Sequence, residues 1–114
     1  MALQKEPTEL PAAYRAFQAA FPEIWQACDR LGAALHCGGP LDGKTREMVK
    51  LGVAVGARLE GAVHAHTRLA LQAGTSPEEI RPVVLLALTT IGFPSMMAAR
   101  TWVEDALART GRGW

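Results

Sequence analysis

The sequence predicts an all-α domain, and three observations carry that prediction. No stretch sustains the alternation of apolar and polar residues that a half-buried strand needs. The turn markers at Pro22, Gly38-Gly39-Pro40, Gly74 and Gly92-Phe93-Pro94 are spaced as helices would space them. A length of 114 residues suffices for one core and is too short for two, so residues 1–114 are expected to form a single domain.

About six helices follow. The first, near Pro11 to Phe21, stops before Pro22. The second opens with Pro22 at a favoured first-turn position and Glu23 placed for the helix dipole, and runs to about His36. Cys37-Gly38-Gly39-Pro40 breaks it. Asp42 is the expected cap of a third helix over roughly Gly43 to Arg58. The fourth covers about Leu59 to Ala73, ended by Gly74. Ser76-Pro77-Glu78-Glu79 is the strongest local signal: Ser76 caps, Pro77 fits the first turn and Glu79 reaches back as a capping box. The fifth helix therefore spans Pro77 to about Ile91, with a kink expected at Pro82. Gly92-Phe93-Pro94 breaks it, and the sixth carries Ser95 to Arg109, followed by a loose tail from Gly111 to Trp114. The fifth helix is apolar nearly all round (Val83, Val84, Leu85, Leu86, Ala87, Leu88, Ile91). Such a helix must be covered on every side, which points to a homo-oligomer.

Composition narrows the function classes. Apolar residues make up 49% of the chain and charged residues 20%, the balance of a globular protein. Lysine plus arginine (12) nearly equals aspartate plus glutamate (11), so no concentrated positive field calls for a nucleic acid or a membrane surface. Residues Met1 to Leu10 carry Lys5, Glu6 and Glu9 instead of the apolar stretch of a signal peptide, and the run Val83 to Met97 is too short for a membrane span. A cytoplasmic location is the expectation. Cys28 and Cys37 match neither a redox CxxC nor a zinc pattern and are expected to be two reduced thiols.

Candidate chemistry emerges when the third and fourth helices are laid out by angle. On the fourth, Leu59, Ala62, Val63, His66, Leu69, Ala70 and Ala73 share one face, so His66 is the single polar member of an inward stripe. On the third, Met48, Leu51, Ala54 and Val55 form the apolar face, with Glu47 at its edge. Consecutive helices joined by a short turn pack together, which brings an acid and an imidazole within reach of each other. A carboxylate beside a ring orients it and fixes its tautomer, as a general acid–base group requires. The same pairing also serves simply to satisfy two core polar groups. Glu60 and His64 form a second pair at i and i+4 on another face, with Thr67 and Arg68. His64 and His66 have the HxH spacing of metal ligands, but residues two apart on a helix point about 200° from each other, so no metal site is expected. Gly32, Gly52 and Gly56 suggest close helix contacts, and Trp25 and Trp102 suggest anchors.

Three stretches carry a family resemblance: Leu41 to Glu47 (LDGKTRE), His66 to Gly74 (HTRLALQAG) and Thr75 to Ile80 (TSPEEI). Over roughly Leu41 to Trp102 the chain resembles the carboxymuconolactone decarboxylase family, which includes the alkylhydroperoxidase D-like proteins. The resemblance implies an all-helical fold assembling into trimers or hexamers. In thiol-dependent members a CxxC pair lies just ahead of a histidine supported by an upstream glutamate. Residue by residue, the histidine falls on His66 and the glutamate on Glu47, while the cysteine positions fall on Leu59 and Ala62. Neither forms a thiolate, so disulfide-based peroxide reduction by that route is not expected.

The decarboxylase branch implies a small carboxylated lactone substrate and no cofactor. Glu47 and His66 would move the protons, and Arg46, Arg58 or Arg68 would hold a carboxylate. The leading expectation is thus acid–base chemistry on a small molecule, with Glu60 and His64 as secondary candidates. The alternatives are a peroxidase using Cys28 or Cys37, and an oligomeric module that binds a ligand without converting it.

Overall fold

The computed structural model describes residues 10–110, and the expected loose tail at Gly111 to Trp114 lies outside them. The described residues contain helices and no strands: α1 (Ala12–Ala20), α2 (Pro22–Cys37), α3 (Gly43–Ala57), α4 (Glu60–Gln72), α5 (Pro77–Leu86), α6 (Leu88–Ile91) and α7 (Phe93–Thr110). The chain divides into two compact units, the first ending at Pro40 and the second beginning at Leu41.

The first unit consists of α1 and α2, joined at Phe21. Aromatic side chains one turn apart hold the corner: Phe17 lies 5.2 Å from Phe21 and 6.5 Å from Trp25, centroid to centroid. Neither helix contains a buried residue. Ile24, Cys28, Leu31 and Leu35, spaced i, i+4, i+7 and i+11 on one side of α2, are all exposed.

The second unit contains the core. α4 packs against both α3 and α7, and α5 bridges α3 and α7. Its interior is built from Leu51, Ala54 and Val55 of α3, Val63 and Ala70 of α4, Ile80 and Val84 of α5, and Met96, Ala99 and Val103 of α7. Two corners fix the helix order. At Arg58-Leu59 the Leu59 amide donates to the Ala54 carbonyl (3.0 Å) and the Arg58 amide to that of Val55 (3.1 Å), with Arg58 left-handed at φ 59°. At Gly74-Thr75 the same pair of bonds recurs, Thr75 to Ala70 and Gly74 to Leu71, with Gly74 at φ 98°. Both are left-handed helix caps, and glycine is the residue that adopts this conformation without steric cost.

The caps expected from the sequence are in place. The Asp42 carboxylate accepts from the Thr45 amide at 2.8 Å. Ser76 and Glu79 form the reciprocal box, with the Glu79 amide donating to Ser76 Oγ and the Ser76 amide to Glu79 Oε1.

Three local expectations are corrected. The fifth helix continues past Pro82 and is interrupted at Ala87, giving two segments where one was expected. Gly92 alone, at φ 92°, breaks the chain, while Phe93-Pro94 opens α7 two residues early because proline fits a first turn. A Cβ added at Gly32 or Gly56 would meet nothing within 4 Å, and one at Gly52 would make an ordinary 3.8 Å contact with Val83. These glycines are not close-packing points within the chain. Leu85 and Leu86, 54% and 76% exposed, leave one side of α5 uncovered.

Candidate acid–imidazole site

The site sits where α3 and α4 pack together. The connector between them is only Arg58 and Leu59, so the two helices run back against each other and their facing side chains meet. Glu47, on the first turns of α3, and His66, midway along α4, come together with Oε1 2.8 Å from Nδ1. Their side chains are 11% and 17% exposed, so the pair is sheltered but not sealed. A carboxylate can only accept, so Nδ1 carries the proton and donates it to Glu47. In the neutral ring, Nε2 is then the atom with the free lone pair.

Beside His66 lies an open hollow of about 200 Å³, lined by Lys50, Val53, Ala54, Leu59, Ala62 and His66. Its walls come from the left-handed cap itself, since Ala54 and Leu59 are the two ends of the bond that closes the corner. Leu59 and Ala62, the positions that the resemblance gives to cysteines, line this hollow, and none of its lining residues carries a thiol. Cys28 and Cys37 are free and exposed on α2.

His66 does not point into the deepest layer, as its stripe suggested. The buried positions of α4 are Val63, Thr67 and Ala70, and Leu59 is 54% exposed. The inward face is therefore rotated toward Thr67, and His66 sits at its border, where it reaches both Glu47 and the hollow. Glu47 in turn is more enclosed than its edge position implied, at 8% exposure.

The second candidate pair does not form. Glu60 is exposed at the start of α4, no hydrogen bond joins it to His64, and neither residue lines the hollow. His64 Nε2 is buried without a hydrogen-bond partner, as are the hydroxyls of Thr67 and Thr75. No group of three or more histidine, cysteine, aspartate or glutamate side chains among the described residues is arranged to hold a metal ion.

The three arginines offered as carboxylate holders are placed elsewhere. Arg46 donates to the Leu41 carbonyl at 2.5 Å and Arg58 to Ser95 Oγ at 2.8 Å. Arg68 is half-buried, and desolvation pushes its guanidinium below its ordinary value. None of them lines the hollow, whereas Lys50, which the sequence reading passed over, does.

A larger open groove of about 610 Å³ runs between α3 and α5, lined among others by Asp42, Lys44, Met48, Gly52, Val83 and Leu86. Neither Glu47 nor His66 borders it, and its Lys44 and Glu79 pair with each other at 3.7 Å. Bonds to backbone amides hold two carboxyls nearby below the usual carboxylate range: Thr45 acts on Asp42, and Ser76 on Glu79, helped by Lys44.

An all-helical fold with a glutamate–histidine pair at the α3–α4 seam, and no cysteine among the residues lining the adjoining hollow, defines an alkylhydroperoxidase D-like protein without the CxxC element. Residues 11–105 match the model of the carboxymuconolactone decarboxylase family, and the chain belongs to that family. The structure is similar to the apo crystal structure of a carboxymuconolactone decarboxylase family protein from Legionella pneumophila, with a TM-score of 0.74 and 25% identity, over 84% of this chain and 86% of that one. In sequence it is 48% identical over 46 residues to an uncharacterized protein of Haemophilus influenzae. That match spans 40% of this chain and 41% of the relative. No described helix is long and apolar enough to cross a membrane.

Proposed function

We propose that this chain carries out acid–base chemistry on a small carbonyl or carboxylated lactone substrate, with His66 as the proton shuttle and Glu47 as its positioning partner. One observation carries the reading: the 2.8 Å bond to Glu47 engages Nδ1, while the same ring lines a hollow open to solvent. A ring held in this way presents Nε2 as a base toward anything bound in the hollow. It takes a proton from a carbon next to a carbonyl, the electron pair passes into the carbonyl as an enolate, and the imidazolium returns the proton. Glu47 stabilises the imidazolium during that interval. Decarboxylation needs the ring to start as the imidazolium paired with Glu47: loss of carbon dioxide from the substrate carboxylate leaves the enolate, Nε2–H supplies its proton, and the neutral ring is reprotonated from solvent.

A binding module with no chemistry would be favoured by a closed, dry contact, and the open hollow argues against that. Peroxide reduction is disfavoured because Leu59 and Ala62 stand where the thiols would act. The uncovered leucines of α5 support assembly of several copies, as trimers or hexamers, within this reading.

The test is to incubate the protein with small carboxylated γ-lactones in deuterated water and follow proton exchange and carbon dioxide loss by NMR. His66→Asn is expected to lower the rate by about 10²- to 10⁴-fold. Turnover unchanged by His66→Asn would overturn the proposal. Peroxide turnover that Cys28→Ser or Cys37→Ser abolishes would replace it with a thiol peroxidase.

A further inference from the structure

We infer that Lys50 is the specificity-determining residue of the His66 hollow and selects a substrate carrying a carboxylate on a small apolar body. The inference rests on the acid–base reading for the chemistry but stands on its own geometry. Lys50 follows Glu47 by three residues and precedes Ala54 by four, which places all three on one side of α3. It is half-buried, and it is the one lysine or arginine among the residues that line the hollow.

The other walls are Val53, Ala54, Leu59 and Ala62, with no hydroxyl, amide or carboxylate among them. A lysine can lay its aliphatic stem along such a surface and present its ammonium at the end. At a half-buried position that charge acts more strongly on a counter-charge than it would in bulk water. None of Arg46, Arg58 and Arg68 lines the hollow, so charge recognition there falls to Lys50. A volume of about 200 Å³ lies below the roughly 300–1,000 Å³ of drug-sized pockets, so the ligand is a small one. Bound with its carboxylate at Lys50 and its body on Val53, Leu59 and Ala62, it places its carbon skeleton against His66.

The probes are benzoate and its neutral isostere benzamide, titrated at constant ionic strength into the full chain while backbone amides and the His66 ring nitrogens are followed by NMR. Benzoate is expected to shift the amides of Lys50, Val53, Ala54 and Ala62 together with the His66 ring. Lys50→Met should weaken benzoate about tenfold or more, the effect of one charge-assisted contact, and Lys50→Arg should keep most of the affinity. Benzamide should bind the unaltered protein no better than benzoate binds the Lys50→Met variant.

Benzoate failing to move these resonances, binding no better than benzamide, or keeping its affinity in Lys50→Met overturns the inference. Lactone turnover that still depends on His66 then leaves the acid–base reading standing. Conversely, Lys50-dependent benzoate binding with lactone turnover indifferent to His66→Asn keeps the anion site and removes the acid–base function.

Discussion

Breaking the Glu47–His66 pair should cost unequal amounts depending on which partner is removed. His66→Phe keeps a ring of similar shape but takes the donor from a carboxylate that is only 8% exposed. A hydrogen bond to a charged group contributes about 1.5–3 kcal/mol, and breaking a fully buried ion pair costs about 3–5 kcal/mol. The pair retains some solvent, its side chains being 11% and 17% exposed, so the lower range applies and about 2 kcal/mol is expected.

Glu47→Leu instead leaves a neutral N–H on a ring bordering the open hollow, and its loss should be nearer 1 kcal/mol. The double variant should recover part of the sum, giving a coupling of about 1–2 kcal/mol. Urea unfolding at fixed protein concentration reads this out: with a slope of about 1–2 kcal/mol per molar, His66→Phe moves the midpoint down by about 1–2 M. A coupling below about 0.5 kcal/mol would refute the reasoning. So would a Glu47→Leu cost larger than that of His66→Phe.

Three further outcomes are expected. Ser76→Ala removes one half of the capping box and should destabilise by about 1 kcal/mol, lowering Tm by about 4–8 °C in a calorimetric scan. Acid should destabilise the protein through Asp42, Glu79 and Glu104. Their carboxyls are held low by the Thr45 amide, the Ser76 amide and the Arg81 side chain respectively, so their contribution is present above the unfolded carboxyl range and lost as pH falls through the lower folded values. Urea midpoints measured from neutral to acid pH should fall in that direction, and Asp42→Asn should flatten the slope. Leu86→Lys, at a site 76% exposed in the single chain, should leave the fold intact but dissociate an assembly that covers α5. Sedimentation showing the unaltered protein already monomeric would exclude that assembly.

Much of this fold is legible in the sequence because its stops are chemical. Gly74, Ser76-Pro77 and Asp42 announce helix ends through backbone requirements that do not depend on the rest of the molecule. The break at Ala87 carries no such signal, since alanine is a good helix former, and only tertiary packing decides it. Glu47 and His66 were legible because two adjacent helices each place a titratable group beside an apolar stripe.

The rotation of α4 was not. Thr67 counts as polar in a pattern, yet it is fully buried and its hydroxyl goes unpaired. Leu59 counts as apolar, yet it lies at a corner and stays half in solvent. Lys50 escaped notice because a lysine on a helix surface resembles every other solvated lysine until the neighbouring helix encloses it.

Surface connections usually absorb insertions and deletions freely. The Arg58-Leu59 joint should not. With only two residues between α3 and α4, one added residue continued as helix would turn everything after it by about 100°. His66 would then swing off the seam and away from Glu47, though every residue of the pair remained. The joint acts as a gauge block: its length, more than the identity of the hollow's walls, sets the alignment of the pair. Variants that rewrite Val53, Leu59 or Ala62 should therefore be far better tolerated than a single insertion at residue 58.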